Sequence, residues 1–151
     1  VHGLWPQFET GWPESCDTGG KERVPDALAD SVADIMPSRG FVGHQWRKHG
    51  SCTGLDQEAY LEATRAAFER VEVPAVFASA RTGTRIDALA AEQAFREANP
   101  GLPADGIAIS CADGRLEEIR ICMTRSLDFR SCPQVDRRGC RRSGLELPAA
   151  P

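Results

Sequence analysis

Apolar side chains recur at spacings of three and four over the first two thirds of the chain and at a spacing of two near its end. Residues 25–35 place Leu28, Val32 and Ile35 on one stripe, with Asp26 as a candidate N-cap and Pro37 as a stop, which predicts a helix. Residues 41–52, FVGHQWRKHGSC, have helical composition and predict a short second helix that Gly50 closes in the left-handed conformation. Residues 56–71 align Tyr60, Leu61, Thr64, Phe68 and Val71 on one face ahead of Pro74, predicting a third. A fourth runs over 86–98 and stops at Asn99, Pro100 and Gly101. The period then becomes two: GIAISC at 106–111 and LEEIRIC at 116–122, separated by Asp113 and Gly114, predict a β-hairpin. The first ten residues, VHGLWPQFET, read as a strand end entering a loop that continues through Gly20. Residues 131–151, rich in Cys, Arg, Gly and Pro, read as mostly loop with room for one short strand. No repeat or linker interrupts this order. The expectation is one α+β domain over residues 1–151, with an antiparallel sheet flanked by helices.

A length of 151 residues with 41% hydrophobic residues suits one core of ordinary size. No apolar run approaches the roughly 18 residues of a bilayer span, and no charged-then-apolar leader precedes Val1. The expectation is a soluble chain, no membrane partner, and any signal peptide outside the sequence. The net charge of -4 argues against bulk electrostatic binding of nucleic acid, so an RNA partner needs a local cluster. Six cysteines without a C-x-x-C pair suggest three disulfides and an oxidising compartment, secreted or periplasmic.

Two of only three histidines lie within HQWRKH, residues 44–49. On a helix at about 100° per residue, His44, Lys48, Gln45 and His49 fall near about 0°, 40°, 100° and 140°, a shared face, with Trp46 and Arg47 directed elsewhere. Such a polar face is expensive to bury as ordinary core. Three readings compete: a solvated helix face; a metal site, since His44, His49 and Cys52 with Cys16 or His2 supply enough ligands; or phosphoryl chemistry. Lys48 among the ligands and the cysteine count weigh against a metal. Cleavage of RNA by its own 2′-hydroxyl needs a base, an acid and a cation or hydrogen-bond donor on the phosphate. Two imidazoles and a lysine suit those tasks.

HGLWP at residues 2–6 and GHQWRKHGSC at 43–52 resemble the two active-site segments of the ribonuclease T2 family, in the same order. The resemblance extends to IMPS at 35–38, to Ala94 and Phe95 through Asn99, Pro100, Gly101 and Leu102, and to LEEIRIC at 116–122. It implies a ribonuclease T2-like fold and an endoribonuclease without cofactor or metal, expected to be monomeric and of low base specificity. Its reaction would pass through a 2′,3′-cyclic phosphate. His2 and His49 would form the acid and base pair, with His49 favoured as base. Lys48 would stabilise the phosphorane, His44 would bind phosphate, and Trp5 and Phe41 would contact bases, with Trp12 added for its proximity. The resemblance also implies disulfides Cys16–Cys52, Cys111–Cys140 and Cys122–Cys132.

Two departures from the family pattern stand out. Gln45 occupies the position of the family's glutamate, removing a negative charge that helps keep nearby histidines protonated. Family members also carry a strand before the first motif, whereas His2 is the second residue here, so the chain is expected to be a fragment of a longer precursor. A catalytically weakened module that binds RNA or protein is the alternative reading, and Gln45 is its support.

Overall fold

The structure, a computed structural model, describes residues 1–149 and forms two compact units, Val1–Arg70 and Val71–Pro151. The last two residues of the predicted C-terminal loop lie outside the described residues.

The first unit is helical after a long irregular entry. Helix α1 (Asp26–Asp30) is shorter than the apolar spacing predicts. At Val32, Ala33 and Ile35 the backbone tightens to bonds three residues back, and the Ser31 hydroxyl donates to the Leu28 carbonyl in competition with the helical ladder. Asp26 is not the N-cap either: Pro25 holds that position, and the Asp26 carboxylate pairs with Arg23 and Arg39. Helix α2 (Arg39–Lys48) starts two residues earlier than predicted because the Ser38 hydroxyl accepts from the Phe41 amide. Helix α3 (Gln57–Glu69) is capped in the same way by Asp56. Tyr60, Leu61, Thr64 and Ala67 form its buried stripe; Phe68 is exposed and Val71 lies beyond the helix end, so those two predicted positions are corrected. Val24, Ala29, Val32, Met36, Val42, Trp46, Tyr60 and Leu61 share one core. No strand forms among residues 1–24, where the first ten residues suggested a strand end.

Gly50 does not end α2 in the left-handed conformation. It opens a 3-10 turn (Gly50–Cys52), and His49 is the cap. The reason for glycine is space: a Cβ there would lie 2.6 Å from Trp46 Cε3 and 2.9 Å from the Tyr60 ring. The turn therefore seats directly on two core aromatics and brings Cys52 to Cys16, to which it is disulfide-bonded.

The second unit carries the sheet. It contains α4 (Ala75–Ala78), β1 (Arg85–Ile86), α5 (Ala88–Ala98), β2 (Ile107–Ala112), β3 (Arg115–Ile121), α6 (Pro133–Arg137) and β4 (Leu145–Glu146). Strands β2 and β3 are the predicted hairpin, with Ile107 opposite Ile121 and Ile109 opposite Ile119. Asp113 and Gly114 turn at φ of 49° and 77°, conformations that Asp tolerates and Gly favours. The sheet order is β1-β4-β3-β2, and it is mixed rather than antiparallel: β4 runs parallel to β3 and antiparallel to β1. Ile86 belongs to β1, not to the helix predicted from 86. Disulfides Cys111–Cys140 and Cys122–Cys132 lie in this unit, and no cysteine is free among the described residues.

Candidate active site

Helix α2 presents two different surfaces to the chain around it. Val42 and Trp46 face the core, where the Trp46 indole donates to the Lys21 carbonyl at 2.7 Å, fixing the helix about its axis. That rotation turns Gln45 and His49 towards the HGLWP segment. Gln45 is buried, and its carbonyl oxygen accepts from Trp5 Nε1 at 2.7 Å. His49 is also buried, its imidazole stacked on Trp5 with ring centroids 4.7 Å apart and planes at 24°.

The HGLWP segment, lacking regular structure, is shaped by close packing. Gly3 adopts φ +133°, a region side chains rarely enter, and a Cβ there would lie 2.9 Å from the Tyr60 hydroxyl. Tyr60 donates to the Leu4 carbonyl at 3.1 Å. Burial pushes its phenol up to about 12, so it remains the neutral donor across the physiological range. With the segment held this way, the His2 ring meets Phe41 edge-on at 5.4 Å and Trp5 at 6.1 Å. Both imidazoles, one from each motif, thus border the same indole. Phe41 is half-buried against the core of its unit.

His44 and Lys48 take another direction. Their places about 100° behind Gln45 and His49 on the helix turn them to the loop at residues 14–18. They line a depression of about 420 Å³ with Arg47, Cys16, Asp17 and Glu22, and none of His2, Trp5, Phe41 or His49 lines it. Lys48 Nζ lies 3.9 Å from a Glu14 carboxylate oxygen, and its carbonyl accepts from the Ser15 amide at 2.7 Å. The shared face expected of His44, Lys48, Gln45 and His49 is therefore split in two. Trp12 is exposed on the intervening loop. Cys16 and Cys52, possible ligands in a metal reading, are spent in their mutual disulfide.

Tyr60 and Glu14 are site residues that sequence reasoning missed. Tyr60 lay on an apolar stripe, where its hydroxyl was the available signal, since a buried phenol needs a hydrogen-bond partner. Nothing in the pattern around Glu14 pointed to Lys48.

The family model described as the Ribonuclease T2 family matches residues 1–132. The chain belongs to the ribonuclease T2 family. A ribonuclease of Aeromonas hydrophila is 38% identical over 74 residues, a stretch covering 49% of this chain and 33% of that protein. The match thus spans about a third of that relative's length. Among solved structures, RNase NT in complex with 5′-AMP superposes with a TM-score of 0.69 at 23% identity, covering 99% of this chain and 82% of that one. An RNase-related protein from Calystegia sepium gives 0.73 at 17% identity, covering 99% and 81%. At these identities the two structures speak for the ribonuclease T2 fold alone. Among the described residues, no helix is long and apolar enough to cross a membrane.

Proposed function

We propose that this chain is the catalytic part of an endoribonuclease that cleaves single-stranded RNA by transesterification. The observation that carries the reading is the convergence of His2 and His49 on Trp5. In the first step His49 takes the proton of the 2′-hydroxyl, the 2′-oxygen bonds to phosphorus, and the bond from phosphorus to the 5′-oxygen breaks. His2 protonates the departing oxygen, leaving a 2′,3′-cyclic phosphate. Water then opens the ring with the two roles reversed. Trp5 acts chiefly by positioning, since its indole holds His49 by stacking and Gln45 by its N–H. Phe41 bounds the His2 side, where a base can stack. Lys48 and His44 attract the phosphate chain from the neighbouring depression, with Glu14 restraining the ammonium. Trp12, exposed beside them, offers a further stacking face with little base preference. The chain works as a monomer without a metal ion, and its three disulfides fit a secreted or periplasmic protein.

The experiment is cleavage of a dinucleoside monophosphate in excess EDTA. The expected result is release of cyclic phosphate at an undiminished rate. Absence of product with and without divalent ions would leave the rival reading, a binding module of ribonuclease T2 fold. That rival draws on Gln45, whose carboxamide stands where the family has a glutamate.

The same position yields a pH prediction. Gln45→Glu adds a carboxylate beside His49, and a nearby negative charge favours the protonated imidazole. The rate profile should move towards higher pH by about 1 unit, the lower bound for an opposite charge within roughly 4–6 Å. Superimposable profiles of the two proteins would strip the position of any electrostatic role.

A further inference from the structure

Cationic side chains are concentrated in one part of the second unit. Residues 130–142, RSCPQVDRRGCRR, hold Arg130, Arg137, Arg138, Arg141 and Arg142 against the single acid Asp136, in a chain whose net charge is -4. The fold makes this segment rigid. Cys140 is disulfide-bonded to Cys111 of β2, and its amide donates to the Ile109 carbonyl at 2.7 Å. Arg141 is a strut: its guanidinium binds the buried Glu92 carboxylate at 2.9 Å and Asp136 at 2.5 Å, which neutralise its charge. Arg138 and Arg142 on either side are exposed, and the Arg142 side chain has no ion pair among the described residues.

These arginines and the β2–β3 turn line a depression of about 630 Å³, with Ser110, Asp113 and Gly114 at its other edge. Among the described residues, Asp113 is the one carboxylate in that lining. Ser110, which also lines it, has a buried hydroxyl with no hydrogen-bond partner among the described residues. A planar guanidinium with paired N–H groups matches phosphate oxygens two at a time, a recognition that a lysine ammonium lacks. The exposed large apolar residues of this unit, Val73, Val76 and Leu89, all lie outside the lining, whereas a membrane-binding patch combines cations with apolar side chains.

We propose that this depression is a second phosphate-binding site, in which Arg138 and Arg142 grip a backbone phosphate of single-stranded RNA other than the one cleaved. The choice of RNA rests on the function proposed above; the anion site itself rests on the arginines. It gives an acidic protein a local hold on a polymeric substrate that a dinucleotide cannot use.

The test measures binding of a fluorescent single-stranded oligodeoxynucleotide, which lacks the 2′-hydroxyl and stays intact whether or not the chain is a nuclease. Arg138→Ala/Arg142→Ala should weaken binding about tenfold. The slope of log affinity against log salt should flatten by about 0.7 for each phosphate that the variant no longer neutralises. Dinucleotide cleavage should stay at the parent rate. Arg125→Ala removes a charge from an exposed position outside the depression and should change little. Unchanged affinity and slope in the double variant would overturn the site. So would an Arg125→Ala effect equal to that of Arg142→Ala, or arginine-dependent binding confined to phosphatidylserine vesicles. If the parent fails to cleave the dinucleotide, the nuclease reading falls while the binding measurement still decides this one.

Discussion

Replacing His49 with alanine is expected to lower kcat on a dinucleotide by about 10²–10⁴-fold with little change in KM, and His2→Ala should do the same. The magnitude is that of a positioned proton donor or acceptor acting in the transition state. Because the proposed reaction uses both, the double variant should lose far less than the product of the single losses. The discriminating control is His44→Ala. That imidazole is exposed and shares its depression with Lys48 and Arg47, away from Trp5, so its loss should cost about tenfold or less and fall mainly on KM for polymeric RNA. Since His49 is buried against Trp5, His49→Gln provides a variant closer in volume, and it should be as inactive as the alanine form. A His49→Ala enzyme within tenfold of the parent, with its fold intact by circular dichroism, would remove His49 from the chemistry. Equal effects at His44 and His49 would instead mean that the two surfaces of α2 act as one.

The largest loss of stability should come from Cys16→Ser/Cys52→Ser. A crosslink spanning 36 residues restricts the unfolded chain by about 4 kcal/mol on the chain-entropy model. At roughly 2–4 °C per kcal/mol this predicts a fall in Tm of about 10 °C. Loop length alone ranks Cys111–Cys140, which spans 29 residues, nearly as high, so stability by itself says little about what the first bond is for. Activity separates them. Cys52 terminates the turn that follows His49, and Cys16 follows Ser15 and Glu14, which meet the end of α2 at Lys48. Loss of that bond should therefore reduce dinucleotide cleavage at temperatures well below the melting transition, whereas loss of Cys111–Cys140 should not. A Tm within about 2 °C of the parent would contradict the entropy argument.

Where local chemistry decides structure, the sequence was readable. The hairpin followed from alternation and an Asp-Gly turn, α3 from its stripe ahead of Pro74, and both motifs from their residue order. Where tertiary packing decides, it was not. Strand β4 falls in the tail that left room for one short strand, but it is two residues long and exists through its neighbours, so neither its position nor its parallel pairing with β3 leaves a pattern in the chain. Gly50 looked like a helix terminator, but the crowding by Trp46 and Tyr60 that requires it depends on how α2 and α3 pack. Helical spacing grouped His44 and Lys48 with His49, yet an arc of about 140° is wider than the surface the HGLWP segment covers, and only the buried anchoring of Trp46 shows where the division falls. The three disulfides join the same pairs that the family resemblance implied; six cysteines permit fifteen pairings, and nothing local selects among them.

Residues 1–8 form no helix or strand and are fastened to their unit by separate contacts, among them the Val1 nitrogen on the Ile35 carbonyl, Tyr60 on Leu4 and Gln45 on Trp5. His2 therefore sits on a strap, whereas His49 caps a helix built into the core. A strap can peel away through local opening that leaves every helix intact, at a free-energy cost below that of global unfolding. On the proposed mechanism, thermal inactivation and melting then become separate events: a far-ultraviolet melting curve tracks the helices, while the working lifetime of the proposed pair is set by how often its first member lets go.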